Sequence, residues 1–447
     1  MKRLYAILPV LALVACAAEE LATSSTSTVT YFHGMTLIPG EGQSVIRDAA
    51  MIVDGGEIVT AGASAEVTAP PGASLVDLSG RAVMPLLNSL HVHLGYLVDN
   101  VMAAESYSRE SMVADLNTHQ RSGVGAVLVL GSDPGDTAFQ IREEQRKGTL
   151  GGARLFTVGR GITVKGGWPT VIAALAEAPQ QVETEEEARG AVRAMADKKV
   201  DAIKIWVDDV GGRIPKISPE LYGAAIDEAK KHGLPVLAHV FYLADAKELV
   251  KAGITGFAHS VRDEPIDDAL VSAMKARDVF YIPTLVAHEV GFSYADVPAW
   301  VGEPAMARSV SADVIGKLKS ADFVEAQKTS PGLPAAREQF AIALENVKKL
   351  ADAGVRIVLG TDSGTTNRFP GYFEHRELEL MVDAGLSPLQ AIEAGTTVGG
   401  EILGLKNAGT LAAGSDASFI VVDGDPSTDI RATRNIENVY VRGEVLP

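Results

Sequence analysis

The chain has 447 residues, 47% apolar and 22% charged, enough for a barrel-sized domain and a smaller companion. Its formal net charge of −17 argues against nucleic acid or an anionic membrane surface as a partner, since both select basic patches. A single cysteine, Cys16, excludes a disulfide framework and a catalytic thiolate in the main domain.

In chain order, Lys2 and Arg3 precede an apolar run from Leu4 to Ala15 that Pro9 interrupts. The run is too short to span a bilayer as a mature helix and has the make-up of a secretory h-region. It ends in Leu13-Val14-Ala15-Cys16, which resembles a bacterial lipoprotein signal. Residues 1–16 are therefore expected to be a leader, with Cys16 lipidated and the protein exported to the cell envelope, anchored facing the periplasm. Plain secretion after cleavage near Ala17-Ala18 is the alternative. Residues 17–27, rich in Ser and Thr, read as a tether.

From 28 to 83 the pattern predicts short strands at Val29 to Phe32, Ala49 to Val53 and Glu57 to Thr60, with turns at Pro39-Gly40 and Gly55-Gly56. Residues 410–447 share that texture, with strands at Ala417 to Val422 and Ile436 to Val441. Neither end can bury a sheet alone, so the two are expected to pair into one small β-sandwich.

Between them, over 84–409, strands alternate with helices. The expectation is a parallel α/β architecture, a (β/α)8 TIM barrel. The eight predicted strands are Ala82 to Pro85 leading to His91, Ala126 to Leu130, Arg154 to Val158, Ala202 to Val207, Pro235 to Val240, Gly256 to His259, Phe280 to Leu285 and Arg356 to Asp362. Helix punctuation agrees: Ser218-Pro219 and Ser387-Pro388 open helices, and Thr184 with Glu187 forms a capping box. Residues 286–340 are long for a connection, and read equally as a lid or substrate wall and as a structural insertion.

The chemistry lies at the strand ends. His91 and His93 point the same way from an extended strand, as side-by-side ligands of a transition metal such as zinc require. His239 closes LPVLAH, His259 closes ITGFAH, and Asp362 follows the apolar run in IVLGTDSG. A buried carboxylate there needs a metal or hydrogen-bond donors. Lys204, in DAIKIWVDD, shares a face with Ala202 and Trp206. Desolvated among metals, its neutral amine could take up carbon dioxide as a carbamate, an anionic ligand for two cations. Pairing with Asp208 or Asp209 is the alternative.

The order HVH, fourth-strand Lys, fifth-strand His, sixth-strand His and GTDSG resembles the amidohydrolase superfamily, chiefly its binuclear prolidase and imidazolonepropionase-like branch. The tail GTLAAGSDASFIVVDGDP resembles that family's closing strands. The resemblance implies two divalent ions, zinc foremost. His91, His93 and Asp362 would bind one, His239 and His259 the other, and N-carboxylated Lys204 would bridge them. A metal-bridging hydroxide would attack an amide, peptide-like or cyclic amide carbonyl, with Asp362 as general acid and base. The substrate would be a small molecule or short peptide. A mononuclear deaminase-type enzyme and an inactive lipoprotein binding module are the alternatives, and a homo-oligomer is compatible with either.

Three departures stand out. The family usually has an aspartate two residues before the first histidine, where this chain has Ser89. Relatives often read Gly-Gly-His after strand three and His-Ala-Tyr after strand five; here the runs are Gly166-Gly167-Trp168 and His239-Val240-Phe241-Tyr242. Trp168 and Tyr242 are thus candidate substrate contacts in a more aromatic pocket, against simple packing for Trp168 and Phe241. His375, at a predicted helix start, either lines the pocket or serves that helix. His33, His119, His232 and His288 have no spacing that recommends them.

Overall fold

β-Branched and aromatic residues fill the strands at both ends of the chain, and in the computed structural model these strands meet in one sheet. The structure describes residues 29–407 and 409–447; the expected leader and tether, with Cys16, lie outside the described residues. The sheet runs Glu444–Val445, Ile436–Val441, Phe419–Asp423, Arg81–Pro85, Thr30–Leu37, Ile46–Asp54, Glu57–Ala63, with Ser74–Asp77 also pairing to Thr30–Leu37. The expected sandwich is thus a single branched sheet of eight strands. Its core joins the two ends of the chain: Phe32 meets Phe419 and Tyr440 edge-on, at ring distances of 5.3 and 5.2 Å.

One strand changes place. Ala82 to Pro85 reads from sequence as the start of the barrel, but Arg81–Pro85 pairs antiparallel with Phe419–Asp423 in the terminal sheet. The first barrel strand is Leu87–Val92, so the crossing falls at Leu86. Val83 packs into the sheet's core while Ala82 and Met84 pack into the barrel's. A strand buried on both faces is a continuous apolar run, indistinguishable in sequence from a barrel strand.

The barrel follows with Val124–Val129, Arg154–Thr157, Ile203–Val207, Val236–Val240, Gly256–Ala258 and Phe280–Ile282, all paired in parallel where they meet. Ile162–Val164 fills the gap between Arg154–Thr157 and Ile203–Val207 through an Ile162–Ile205 pair. The eighth position is not a regular strand. Residues 357–363 close the ring by isolated bridges, Tyr281 to Ile357 and Val92 to Ser363. His93 donates its N–H to the Ser363 carbonyl at 2.7 Å, and Leu90 donates to Leu359 at 2.8 Å.

Helices cover the outside. The Thr184–Glu187 capping box is present, as is one at Ser387 with Gln390; Ser218 precedes its helix without a side-chain capping bond. The long segment after the seventh strand folds as Leu285–Glu289, Ala312–Leu318 and Ala321–Lys328, leading into Leu333–Asp352. No helix among the described residues is long and apolar enough to cross a membrane.

Candidate active site

The strand ends deliver their side chains to one place, the C-terminal mouth of the barrel. His91, His93 and Asp362 are buried, and their ligand atoms lie within 4.8 Å of one another. Oδ1 of Asp362 is 2.8 Å from Nε2 of His93 and 3.4 Å from Nε2 of His91, while Oδ2 pairs with Arg368. His259 stands 4.7 Å from His91 and 4.5 Å from His239, ring to ring. Five of the six predicted residues line one cavity of ≈ 300 Å³.

Three of the four histidines are oriented by a partner on one ring nitrogen. His93 holds Ser132 through Nδ1 at 2.7 Å, and His259 holds Thr284 through Nδ1 at 2.8 Å. His239 donates from Nε2 to Asp208 at 2.9 Å, which leaves Nδ1 the acceptor nitrogen. Desolvation holds His91 and His259 well below the ordinary imidazole value, and His239 below it, which favours the neutral form that can bind a cation. Asp362 is held far below the usual carboxylate range: burial opposes this, but Arg368 and the two histidines outweigh it.

Lys204 is 1% exposed and its ammonium has no hydrogen-bond partner among the described residues. Neither aspartate proposed as its partner takes it: Asp208 accepts from His239, and Asp209 from Tyr242 at 2.7 Å. Burial pushes the amine down to about 7, partly offset by Asp362. Nδ1 of His91 and Nδ1 of His239 are likewise buried without partners. Three orphaned polar atoms beside a His-His-Asp cluster suit a divalent cation, because unsatisfied buried groups are otherwise costly. Backbone strain gathers here too. Asp362, His259 and Thr284 adopt φ of 58°, 73° and 47°, conformations that non-glycine residues hold only under constraint.

Of the other candidates, Trp168 is in the cavity wall, 6.2 Å from the His239 ring. It also borders a second chamber of ≈ 330 Å³, which shares His239 and Arg262 with the first. Tyr242 does not line either chamber; its hydroxyl is held by Asp209, and Phe241 takes the wall position. His375 is buried behind the barrel, with Nε2 on the Ser122 carbonyl at 2.9 Å, so its role is the structural one. His288, Arg262 and Arg368 line the cavity and had no signal beyond lying just after strand ends. A larger cavity of ≈ 600 Å³ opens at the opposite end, at the starts of the barrel strands, and holds none of these groups.

With that geometry in place, the family model for the amidohydrolase family matches residues 82–446. The chain belongs to the amidohydrolase family. The ochratoxinase of Aspergillus niger is 24% identical over 457 residues, covering 92% of this chain and 84% of the relative. The imidazolonepropionase of Paraburkholderia phymatum is 26% identical over 287 residues, covering 55% and 66%. A crystal structure of a Xaa-Pro dipeptidase with bound methionine superposes with a TM-score of 0.74 at 23% identity, covering 94% of this chain and 99% of that one. Fold and family make this amidohydrolase a hydrolase.

Proposed function

We propose that this amidohydrolase is metal-dependent and cleaves an amide, peptide-like or cyclic amide C–N bond in a small molecule or short peptide. The observation that carries the reading is the His91, His93 and Asp362 cluster beside the orphaned atoms of His91, Lys204 and His239. His91, His93 and Asp362 would hold one divalent ion, and His239 and His259 a second. Lys204, its buried amine carboxylated by carbon dioxide, would lie between them. When bound, zinc or a similar ion supplies Lewis acidity to a water molecule and to the scissile carbonyl.

The protein's own groups do the rest. Ser132, Asp208 and Thr284 fix the tautomers and planes of three histidines. Asp362 takes a proton at its carboxylate and delivers it to the leaving nitrogen. Trp168 and the Leu285–Glu289 helix wall the cavity, which limits water to the reacting centre.

The test is elemental analysis of the purified protein with an amide panel of N-acyl amino acids, dipeptides, lactams, aryl amides and aryl carbamates, assayed with zinc or manganese. Two ions per chain and cleavage of an amide are expected. One ion would favour the mononuclear deaminase type, and a metal-free, inactive protein would favour a binding module.

A further inference from the structure

Arg262 lies in the turn after the sixth strand and lines both chambers. One guanidinium nitrogen, Nη1, donates to the Ser260 carbonyl at 2.9 Å and the Val240 carbonyl at 3.3 Å. The group is stacked 4.5 Å over the Phe241 ring, which fixes its plane. It forms no ion pair among the described residues, and Nε and Nη2 have no protein partner there. Both carboxylates in the lining are engaged elsewhere: Asp208 with His239 and the Val210 N–H, Asp362 with Arg368 and the two histidines.

Burial pushes Arg262 down to about 10, and the nearby charge of Asp208, which forms no direct pair with it, offsets this only in part. The free Nε–Nη2 edge is the side of a guanidinium that accepts both oxygens of a carboxylate in parallel. Much of the remaining lining is apolar, with Met102, Pro169, Ile172 and Leu175. A bound carboxylate would neutralise Arg262 and leave an uncharged group for that wall.

We propose that the Nε–Nη2 edge of Arg262 is a carboxylate-binding subsite, so that the substrates of this enzyme are amides carrying a carboxylate beside an apolar group. The inference rests on the hydrolytic reading above for turnover, though not for binding. The test compares N-benzoyl-L-leucine with N-benzoyl-L-leucinamide, which differ only in that charge, on metal-loaded protein. Release of benzoate gives kcat/KM, and quenching of tryptophan fluorescence gives affinity. The carboxylate should be preferred by about 10- to 100-fold, mostly in KM, the range of a charge-assisted hydrogen bond. Arg262→Gln should bring the ratio close to one. Arg262→Lys, which keeps the charge but loses the paired donors, should retain part of the preference; it also covers the case in which the glutamine variant does not fold. Failure to cleave either compound counts against hydrolysis alone, because the titration still decides the subsite. Carboxylate binding no tighter than carboxamide binding, absent binding included, overturns the inference, as does a preference that survives Arg262→Gln.

Discussion

Ser89 donates its hydroxyl to Oε1 of Glu374 across 3.2 Å, two residues before His91. The same carboxylate oxygen accepts from Thr361 at 2.9 Å and Ser363 at 3.1 Å, the two neighbours of Asp362. His119 stands 3.4 Å away, and both it and Glu374 are fully buried. The departure at Ser89 therefore leaves no gap in charge. A carboxylate reaches that spot from the helix Tyr372–Asp383 and pins the backbone on which His91 and Asp362 sit.

That pair sets a pH dependence. Burial alone would raise Glu374 and lower His119, yet their attraction and the donated hydrogen bonds prevail: Glu374 is held down at about 2, His119 above its usual value. Glu374 therefore contributes stability that is full above its ordinary value of 4.5 and is lost as pH falls toward 2. His119 contributes below its ordinary 6.5 and loses that as pH rises through its raised value. Glu374→Gln removes the charge that keeps buried His119 protonated and should cost about 3 kcal/mol near pH 5.5, the carboxylate's share of it shrinking as the pH approaches 3. Urea unfolding at the two pH values measures the difference. An unchanged gap between them would sink the ion-pair account.

Lys204 supports a second expectation. Its ammonium is buried, unpartnered and 5.8 Å from the Trp206 ring, an unstable place for a permanent cation. Lys204→Ala should lower activity by more than the about 100-fold typical of groups that merely support ligands, and should reduce bound metal. Acetate or propionate, small enough for the vacated space, should restore part of the activity by replacing the lost carboxylate. A fully active Lys204→Ala enzyme would rule out the proposed carbamate.

Legibility followed physical cause. The barrel and its six candidate ligands were readable because strand ends repeat a simple signature, an apolar run followed by His, Lys or Asp. The eighth strand was readable from Ile357, Val358 and Leu359, although Gly360 and the left-handed Asp362 keep it from forming a ladder. Arg81–Pro85 was misplaced because burial on both faces erases the alternation that distinguishes sheets. Arg262, His288 and Glu374 were not legible, since no local pattern marks them and only the fold brings each to the site. Glu374 joins a residue 285 positions before it. Tyr242 and His375 were over-read: the side chain in each case turns to Asp209 or to the Ser122 carbonyl.

Gly364 gives the sharpest steric prediction. It follows Asp362-Ser363 with φ of +89°, where a side chain is already strained. A Cβ there would meet the His93 carbonyl oxygen at 1.7 Å and its carbon at 2.7 Å. Those atoms cannot swing aside, because the Ser363 carbonyl accepts from the His93 N–H in the contact that closes the barrel. Gly364→Ala must therefore separate His93 from Asp362, not merely crowd a side chain. Gly354 is the control: its φ is +78°, but nothing lies within 4 Å of its added Cβ. Gly354→Ala should cost only the strain of the left-handed conformation, about 1 kcal/mol, and keep full metal content. Gly364→Ala should cost at least about 3 kcal/mol and lose metal in proportion. Equal melting temperatures and equal metal content in the two variants would mean that the closure between His93 and Ser363 does not hold the site together.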